Sequence, residues 1–202
     1  MSWQSFLHEL GKQQSVDIVG PFAMNWNPSG RPILYVDSGI KWRKPAPLSS
    51  SVGDGDSGSK ELDVLLEQHK DFSDFAFALR SLPQNITDLH LHGFLGGRKD
   101  HELANFGEAH SFLKCRLKPT QMVWDDEVIS WSAGRWVFER IGAFSLLALE
   151  PVNVSVTGAC QYQVKKAAEF PPLSSLGISN IGSGRVQVET DGPLFCFFTE
   201  GD

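Results

Sequence analysis

Apolar and polar residues alternate along Leu89–His92, which is the pattern of a half-buried β-strand. The leucines share one face, and His90 and His92 share the other, where we expect them to line the sheet under a helix without doing chemistry. After a pair of glycines, apolar residues recur at steps of three and four along 103–117, which predicts a helix starting near Asp100. A strand, a glycine turn and a helix form half of a βαβ unit, and ligands bind beyond the carboxyl ends of such strands.

Short apolar runs in the amino-terminal half predict further strands. Val16–Val19 and Ile33–Val36 are too short for helices and end at Gly-Pro and Asp-Ser-Gly turns, so we predict buried strands of a parallel sheet. Residues 44–51, rich in Pro and Ser, are predicted to form a loop.

Three more helices are predicted in this half of the chain. Residues 2–14 carry apolar positions at helical spacing. Ser59 is a candidate cap for a helix over the leucines of 62–66, and Phe75–Leu82 is a helical run closed by Pro83.

The pattern changes beyond Pro119. Short runs rich in β-branched and aromatic residues follow one another, among them Arg135–Ile141 and Phe144–Leu149, and no helical period is found. They predict a second, antiparallel β-domain, a sandwich, with the boundary near residue 119. Its polar turn at 177–180 is either structural or faces a ligand, and Tyr162 is either a strand aromatic or a stacking platform.

Composition excludes several classes of protein. The chain has 202 residues, 41% of them hydrophobic, and a net charge of -6, which argues against a nucleic-acid or membrane surface but leaves a small anionic ligand possible. The three cysteines are far apart and form no CxxC pair, so we expect neither disulfides nor a zinc site, and a reduced, cytoplasmic protein. No signal peptide and no membrane span are expected, because no apolar run has the required length.

Acidic residues recur beside the ends of predicted elements, and such residues could converge on one crevice. They are Asp37, Asp54, Asp56, Asp71, Asp74 and Asp100. Close carboxylates repel unless a cation intervenes, and hard divalent cations prefer oxygen ligands, so Mg²⁺ is the natural candidate. Turn formation and helix capping explain each of these residues singly. Arg98 and Lys99 add cations that suit a polyphosphate, although a solvated loop explains them equally well.

Several spaced motifs follow one another along the chain. In order they are GDGDS at Gly53–Ser57, KDFSD at Lys70–Asp74, GGRKDH at Gly96–His101, LAN at Leu103–Asn105, TGACQY at Thr157–Tyr162, ISN at Ile178–Asn180 and RVQVETDGPL at Arg185–Leu194. Together these motifs resemble the thiamine pyrophosphokinase family. Motifs in the right order over most of a chain are far more specific than any one of them.

The resemblance implies a three-layer α/β/α domain with a mainly parallel sheet over residues 1–119, which binds ATP and magnesium. A smaller antiparallel β-sandwich over residues 120–202 would bind thiamine, in a homodimer whose thiamine site lies between domains of opposite subunits. The implied reaction transfers pyrophosphate from ATP to the hydroxyethyl oxygen of thiamine and yields thiamine diphosphate and AMP. ATP and thiamine are therefore the expected partners.

The resemblance also implies roles for individual residues. Asp54, Asp56 and Asp74 would hold magnesium, and Asp100 would act near the attacking hydroxyl. The ATP-binding residues would be Asp37, Ser57, Lys70, Asp71, Ser73 and Arg98, with Arg98 at the phosphates. The thiamine ring would lie by Tyr162, Ser179 and Asn180.

Two features depart from the family pattern, which usually has DGG at Asp37-Ser38-Gly39 and Thr at Ser73. A Pro-Asp lead into the GD motif is also missing. Two alternative functions therefore stay open. One is the same reaction on another hydroxyalkyl heterocycle, such as a pterin or a thiamine analogue. The other is a catalytically silent nucleotide-binding protein, against which the clustered carboxylates argue, because a structural protein gains nothing from their repulsion.

Overall fold

The computed structural model describes residues 1–56 and 62–199. Within these residues lie three α-helices, α1 (Trp3–Leu10), α2 (Asp74–Ser81) and α3 (Lys99–Lys114), and two 3₁₀ helices at Asp37–Trp42 and Ser175–Gly177. The strands of the described residues are β1 (Ser15–Val19), β2 (Ile33–Val36), β3 (Ser49–Gly53), β4 (Val64–Leu65), β5 (Asp88–His92), β6 (Gln121–Trp124), β7 (Val128–Trp131), β8 (Gly134–Leu147), β9 (Val152–Cys160), β10 (Val164–Phe170), β11 (Asn180–Thr190) and β12 (Leu194–Phe198). None of the helices in this part of the chain is long and apolar enough to pass through a membrane.

Contacts divide the chain into two compact units. The first consists of Met1–Phe112 and Met122–Asp125, and the second of Leu113–Gln121 and Asp126–Asp202. The first unit contains a parallel ladder in which β5, β1, β2, β3 and β4 follow one another. The predicted strands at Val16–Val19, Ile33–Val36 and Leu89–His92 are confirmed as β1, β2 and β5. Their apolar residues are buried, as expected for strands covered on both faces.

The helices of the first unit agree with the sequence in three cases. The predicted helices at 2–14, at 75–82 and after the glycine pair are confirmed as α1, α2 and α3. Helix α2 starts where the Ser73 hydroxyl accepts a hydrogen bond of 3.0 Å from the Ala76 amide, and it ends just before Pro83, which disfavours helix in the residue ahead of it.

Two predictions between the first strands and α2 are wrong. The predicted loop at 44–51 contains the start of β3. Leu65 lies in strand β4 instead of a helix, Leu62 and Leu66 lie on either side of that strand, and Ser59 lies outside the described residues. Ser51 explains both errors, because its hydroxyl accepts from the Asp63 amide at 2.8 Å and donates to the Asp63 carboxylate at 3.0 Å. A buried serine is thus fully paired, and it holds the following segment extended along β3.

The second unit is antiparallel. Strands β7 to β12 pair in the order β10-β9-β11-β8-β12-β7, and residues from all six share one apolar core. The predicted pair of strands at Arg135–Ile141 and Phe144–Leu149 is wrong, because β8 runs through both. Gly142, with φ of 115°, lies between them, and its lack of a Cβ lets the strand continue where another residue would be strained.

The predicted fold class is also wrong. The described strands belong to one mixed sheet of twelve, in the order β10-β9-β11-β8-β12-β7-β6-β5-β1-β2-β3-β4, instead of a three-layer α/β/α domain with a mainly parallel sheet and a separate antiparallel β-sandwich. Strand residues also outnumber helical residues in the described ranges. The physical reason is that apolar periodicity reports which face of a strand is buried, whereas sheet class depends on which backbone edges pair.

Candidate functional site

A cavity of about 520 Å³ opens in the first unit at the carboxyl ends of β2 and β3. The start of α2, the glycine turn after β5 and the first turn of α3 form the rest of its wall. The cavity is lined by most of the residues predicted to bind ATP or metal, namely Asp37, Asp54, Asp56, Lys70, Ser73, Asp74 and Arg98. Its place agrees with the rule that ligands bind beyond the carboxyl ends of parallel strands.

Three carboxylates meet at the centre of this wall. Asp37 directly follows β2, Asp54 directly follows the neighbouring strand β3, and Asp74 is the first residue of α2. One oxygen from each lies within 4.8 Å of the others, and among residues 1–56 and 62–199 no other group of acidic, His and Cys side chains meets this criterion. The structure thus brings Asp37 into the cluster, whereas the sequence suggested Asp56 as the third metal ligand.

The absence of a side chain at Gly53 lets Asp37 and Asp74 lie close to each other. A Cβ atom on Gly53 would lie 3.0 Å from the Asp37 Cα and 3.2 Å from Asp74 Oδ2, which leaves no comfortable room for a side chain. Asp37 itself has φ of 51°, a left-handed conformation that non-glycine residues adopt rarely and at some cost in energy. Such strain is often found at functional sites, and it turns the Asp37 backbone sharply as β2 ends.

Lys70 lies among the carboxylates. Its side chain is 8% exposed, and its Nζ lies 3.0 Å from Asp54 Oδ2 and 2.8 Å from Asp74 Oδ1. Burial by itself would lower the pKa of Lys70 and raise that of Asp54. Ion pairing outweighs burial: the bonds to Asp74 and Asp54 raise the pKa of Lys70, and the bond from Lys70 lowers the pKa of Asp54. Lys70 and Asp54 are therefore both charged at neutral pH.

The neighbouring motif residues have different surroundings. Asp56 is exposed at the cavity rim, and its amide donates to Asp54 Oδ1 at 3.2 Å, so the GDGD turn orients Asp54. Ser73 caps α2, as described above. Asp71 is exposed and does not line the cavity, and Ser57 lies outside the described residues.

Arg98 and Asp100 pair with each other where the glycine turn leads into α3. Two hydrogen bonds, of 3.1 Å and 2.5 Å, join the guanidinium to the carboxylate, and both side chains are mostly exposed. The hydrogen bonds from Arg98 lower the pKa of Asp100 to about 2. Arg98 lines the cavity, whereas Asp100 does not.

Sequence reasoning missed the carboxylate that holds the glycine turn. Asp125 accepts hydrogen bonds from the amides of Gly93, Phe94 and Leu95 at 2.6, 3.3 and 3.2 Å. Phe94 lines the cavity, so Asp125 fixes part of its wall. Asp125 has a left-handed φ of 48°. Its hydrogen bonds could not be predicted from the sequence, because the partner amides lie some thirty residues earlier in the chain.

Two charged side chains of the cavity wall, those of Lys41 and Glu102, were not predicted to belong to the site. Glu102 accepts from the Gly96 amide at 3.2 Å and pairs with Lys99 at 2.9 Å. Its position in the first turn of α3 was a signal that could have identified it, because acidic residues are favoured there.

The three residues predicted to contact thiamine lie in the second unit. Tyr162 is exposed in the turn between β9 and β10. The buried Asn180 side chain holds this turn, since it donates to the Tyr162 carbonyl at 2.7 Å and accepts from the Tyr162 amide at 3.0 Å. Ser179 has φ of 60°, and its amide donates to the Ser145 hydroxyl at 3.0 Å. Asn180 thus has a structural task in positioning Tyr162.

The donor set of the cavity fits a hard divalent cation. Ligand oxygens on opposite sides of one ion lie about 4.2 Å apart for Mg²⁺ and about 4.8 Å apart for Ca²⁺, so small side-chain shifts bring Asp37, Asp54 and Asp74 into range. Carboxylate oxygens are also the ligands that such ions prefer.

Comparison with known proteins gives a clear result at the level of fold. No protein-family model matches the sequence, and no curated protein matches it. Thiamine pyrophosphokinase from Bacillus subtilis is similar in structure, with a TM-score of 0.67 and 20% identity over 90% of this chain and 97% of that chain. The enzyme from Geobacillus thermodenitrificans has a TM-score of 0.68 and 18% identity over 92% and 98%. That from Candida albicans has a TM-score of 0.69 and 12% identity over 94% and 90%.

These similarities confirm, at the level of fold, the resemblance seen in the motifs. The chain has the fold of thiamine pyrophosphokinases.

Proposed function

We propose that the protein is a magnesium-dependent thiamine pyrophosphokinase, which transfers diphosphate from ATP to thiamine. The observation that carries this proposal is the convergence of Asp37, Asp54 and Asp74 in one cavity that also presents Lys70 and Arg98. Carboxylates for a metal and cations for phosphates are the two requirements of phosphoryl transfer, in which positioning and charge neutralisation do most of the work. The shared fold supports the same assignment.

In this proposal Asp37, Asp54 and Asp74 hold Mg²⁺. Bound there, the ion would neutralise charge on the phosphates of ATP. Asp56 lines the same cavity, and its role as a ligand stays a prediction. Arg98 contacts the phosphates, for which a guanidinium is well suited.

The reaction joins the hydroxyethyl oxygen of thiamine to the β-phosphorus of ATP. The bond from that phosphorus to the oxygen bridging it to the α-phosphorus breaks, and AMP leaves with that oxygen. Asp100 is proposed to take the hydroxyl proton. Paired with Arg98 it is a weak base, because its pKa is about 2. If Arg98 moves to the phosphates, Asp100 loses this partner and becomes a better proton acceptor.

The acceptor side of the proposal concerns the second unit. Tyr162 offers an exposed ring against which a flat heterocycle can stack. Asn180 is hydrogen-bonded to the Tyr162 backbone, and Ser179 directly precedes Asn180 in sequence. We further propose a cytoplasmic homodimer, as the resemblance implies, and light scattering after size-exclusion chromatography would measure its mass.

The central experiment mixes purified protein, ATP, Mg²⁺ and thiamine and measures AMP together with thiamine diphosphate. Both products should form in equal amounts, and excess EDTA should abolish them. A parallel reaction with Asp56→Ala measures the contribution of that carboxylate.

The outcomes of this experiment separate the alternatives. AMP formed only with a pterin or another alcohol would transfer the proposal to that acceptor. Binding of ATP without AMP from any acceptor would contradict catalysis and favour a silent nucleotide-binding protein.

A further inference from the structure

Each carboxylate oxygen of Asp54 and Asp74 accepts a hydrogen bond or forms an ion pair within the protein. Asp54 Oδ1 accepts from the Asp56 amide at 3.2 Å, and Asp74 Oδ2 accepts from the Asp54 amide at 3.2 Å. The other two oxygens face the Lys70 ammonium at 3.0 and 2.8 Å. Two of these donors are backbone amides set in turns, whereas Lys70 is a side chain on a flexible four-carbon stem.

The charges in the cavity also single out Lys70 as the group that a metal ion would meet. Asp37, Asp54 and Asp74 bring three negative charges together, and Lys70 offsets one of them. A divalent cation at ligand distance from Asp54 and Asp74 would lie within a few ångströms of the ammonium. Like charges at about 4 Å repel by several kcal/mol at an effective dielectric constant near 20. The metal and the ammonium therefore compete for the same two carboxylates.

We propose that Lys70 occupies the place of the metal in the carboxylate cluster until metal enters, and that the metal then displaces its ammonium into the cavity. This inference rests on the proposed function, because it concerns the metal of that site. Before metal binds, Lys70 keeps Asp54 and Asp74 together against their mutual repulsion. After displacement its three N–H donors are available to the polyphosphate in the same cavity. Lys70 is thus a positioning residue for the metal ligands as well as a phosphate contact.

The test measures metal affinity without nucleotide, so that it does not depend on turnover. Calorimetric titration of the full-length protein with MgCl₂ is compared with that of Lys70→Met, which keeps the length of the side chain and removes its charge. We expect Lys70→Met to bind Mg²⁺ about tenfold more tightly or better, because no internal cation has to be displaced. Mg²⁺ should also raise the melting temperature of the variant by more than that of the unmodified protein.

Lys41→Met is the matched control. Lys41 lines the same cavity, but its ammonium lies over the ring of Trp42, at 5.1 Å from the ring centre. Lys41→Met therefore removes the same charge from the cavity as Lys70→Met does, but from a different position. Its effect on Mg²⁺ affinity measures the general electrostatic contribution, which should be well below that of Lys70→Met. Equal gains in the two variants would overturn the proposal.

A second measurement uses the unmodified protein and so does not depend on how a variant folds. An amine-acylating reagent is applied with and without MgCl₂, and labelling of Lys70 is quantified by mass spectrometry. Displacement should increase labelling severalfold, since the ammonium leaves a site where it is 8% exposed. Unchanged labelling at saturating Mg²⁺ would overturn the proposal.

The outcomes separate this proposal from the function on which it rests. Mg²⁺ binding of equal strength in the unmodified protein and in Lys70→Met overturns the displacement and leaves the metal site intact. No Mg²⁺ binding in either protein, with or without ATP, overturns the metal site itself.

Discussion

Two carboxylate centres in the first unit show how similar residues serve different ends. Asp17 lies within β1 and is completely buried. Its carboxylate accepts from the Ser29 hydroxyl, from Arg31 at 3.4 Å, and pairs with His92 at 3.0 Å. These donors come from two separate segments, a loop and the end of β5. The centre therefore fastens the loop after β1 to the sheet, and all its contacts are internal.

The cavity centre is arranged differently. Asp37, Asp54 and Asp74 follow strand ends or begin a helix, and their side chains face one another at a cavity. Lys70, whose side chain lines the same cavity, pairs with Asp54 and Asp74. The comparison teaches that carboxylates gathered at a cavity wall, rather than one carboxylate enclosed by internal donors, mark a binding centre. Breaking the first centre should cost stability, and breaking the second should cost function.

The largest expected effect is that of Asp74→Asn on turnover. The variant loses a metal ligand while keeping its shape, so we expect kcat/KM for diphosphate transfer to fall by about 1,000-fold, or about 4 kcal/mol. The free energy of unfolding should change by no more than about 1 kcal/mol, because Lys70 keeps Asp54 as a partner. Urea denaturation beside the AMP assay measures both. A loss of stability that accounts for the loss of activity would erase the distinction between the centres.

Asp17→Asn should reduce stability and leave turnover almost unchanged. Removing the charge leaves Arg31 and His92 without their buried partner, so the free energy of unfolding should fall by about 3 kcal/mol. Urea denaturation measures this loss. Turnover per folded molecule should stay within about threefold of the unmodified protein, a margin below 1 kcal/mol. A selective loss of activity with full stability would assign Asp17 to the site instead.

The stability contributed by Asp17 should depend on pH. Burial by itself would raise its pKa, but the bonds with His92, Ser29 and Arg31 outweigh burial and lower it. A lowered pKa stabilises the fold above the unfolded value of about 3.9, and this contribution is lost as pH falls through the folded value. The difference in unfolding free energy between the unmodified protein and Asp17→Asn should therefore shrink as pH falls below about 4. A difference that keeps growing below that pH would contradict this account.

The smallest expected effect is that of Ser29→Ala. It removes one of the partners of Asp17, and the free energy of unfolding should fall by about 1 kcal/mol. In the Asp17→Asn background the same change should cost less, because the two residues share one hydrogen bond. A double-mutant cycle by urea denaturation measures the difference. Additive losses would show that Ser29 acts independently of Asp17.

Prediction from sequence succeeded where the signal is local. The periodicity of residues 75–82 and the alternation at Leu89–His92 correspond to α2 and β5, because each depends on one buried face. Strand β3 was not predicted, because its buried serines form a polar run that is typical of a loop. Only the structure shows that the Asp63 carboxylate is their partner, at Ser51. His90 and His92 were expected to line the sheet without doing chemistry, and the structural pair of His92 with Asp17 was not predicted.

The sequence by itself determined the local elements and the kinds of residue available for chemistry, since side-chain type and spacing are written along the chain. Tertiary structure alone decided that the strands pair in one mixed sheet, that Asp37 joins Asp54 and Asp74, and that Lys70 lies among them. The physical reason is that edge pairing and convergence of charges depend on distances between residues remote in sequence. Those distances are set by packing of the whole unit.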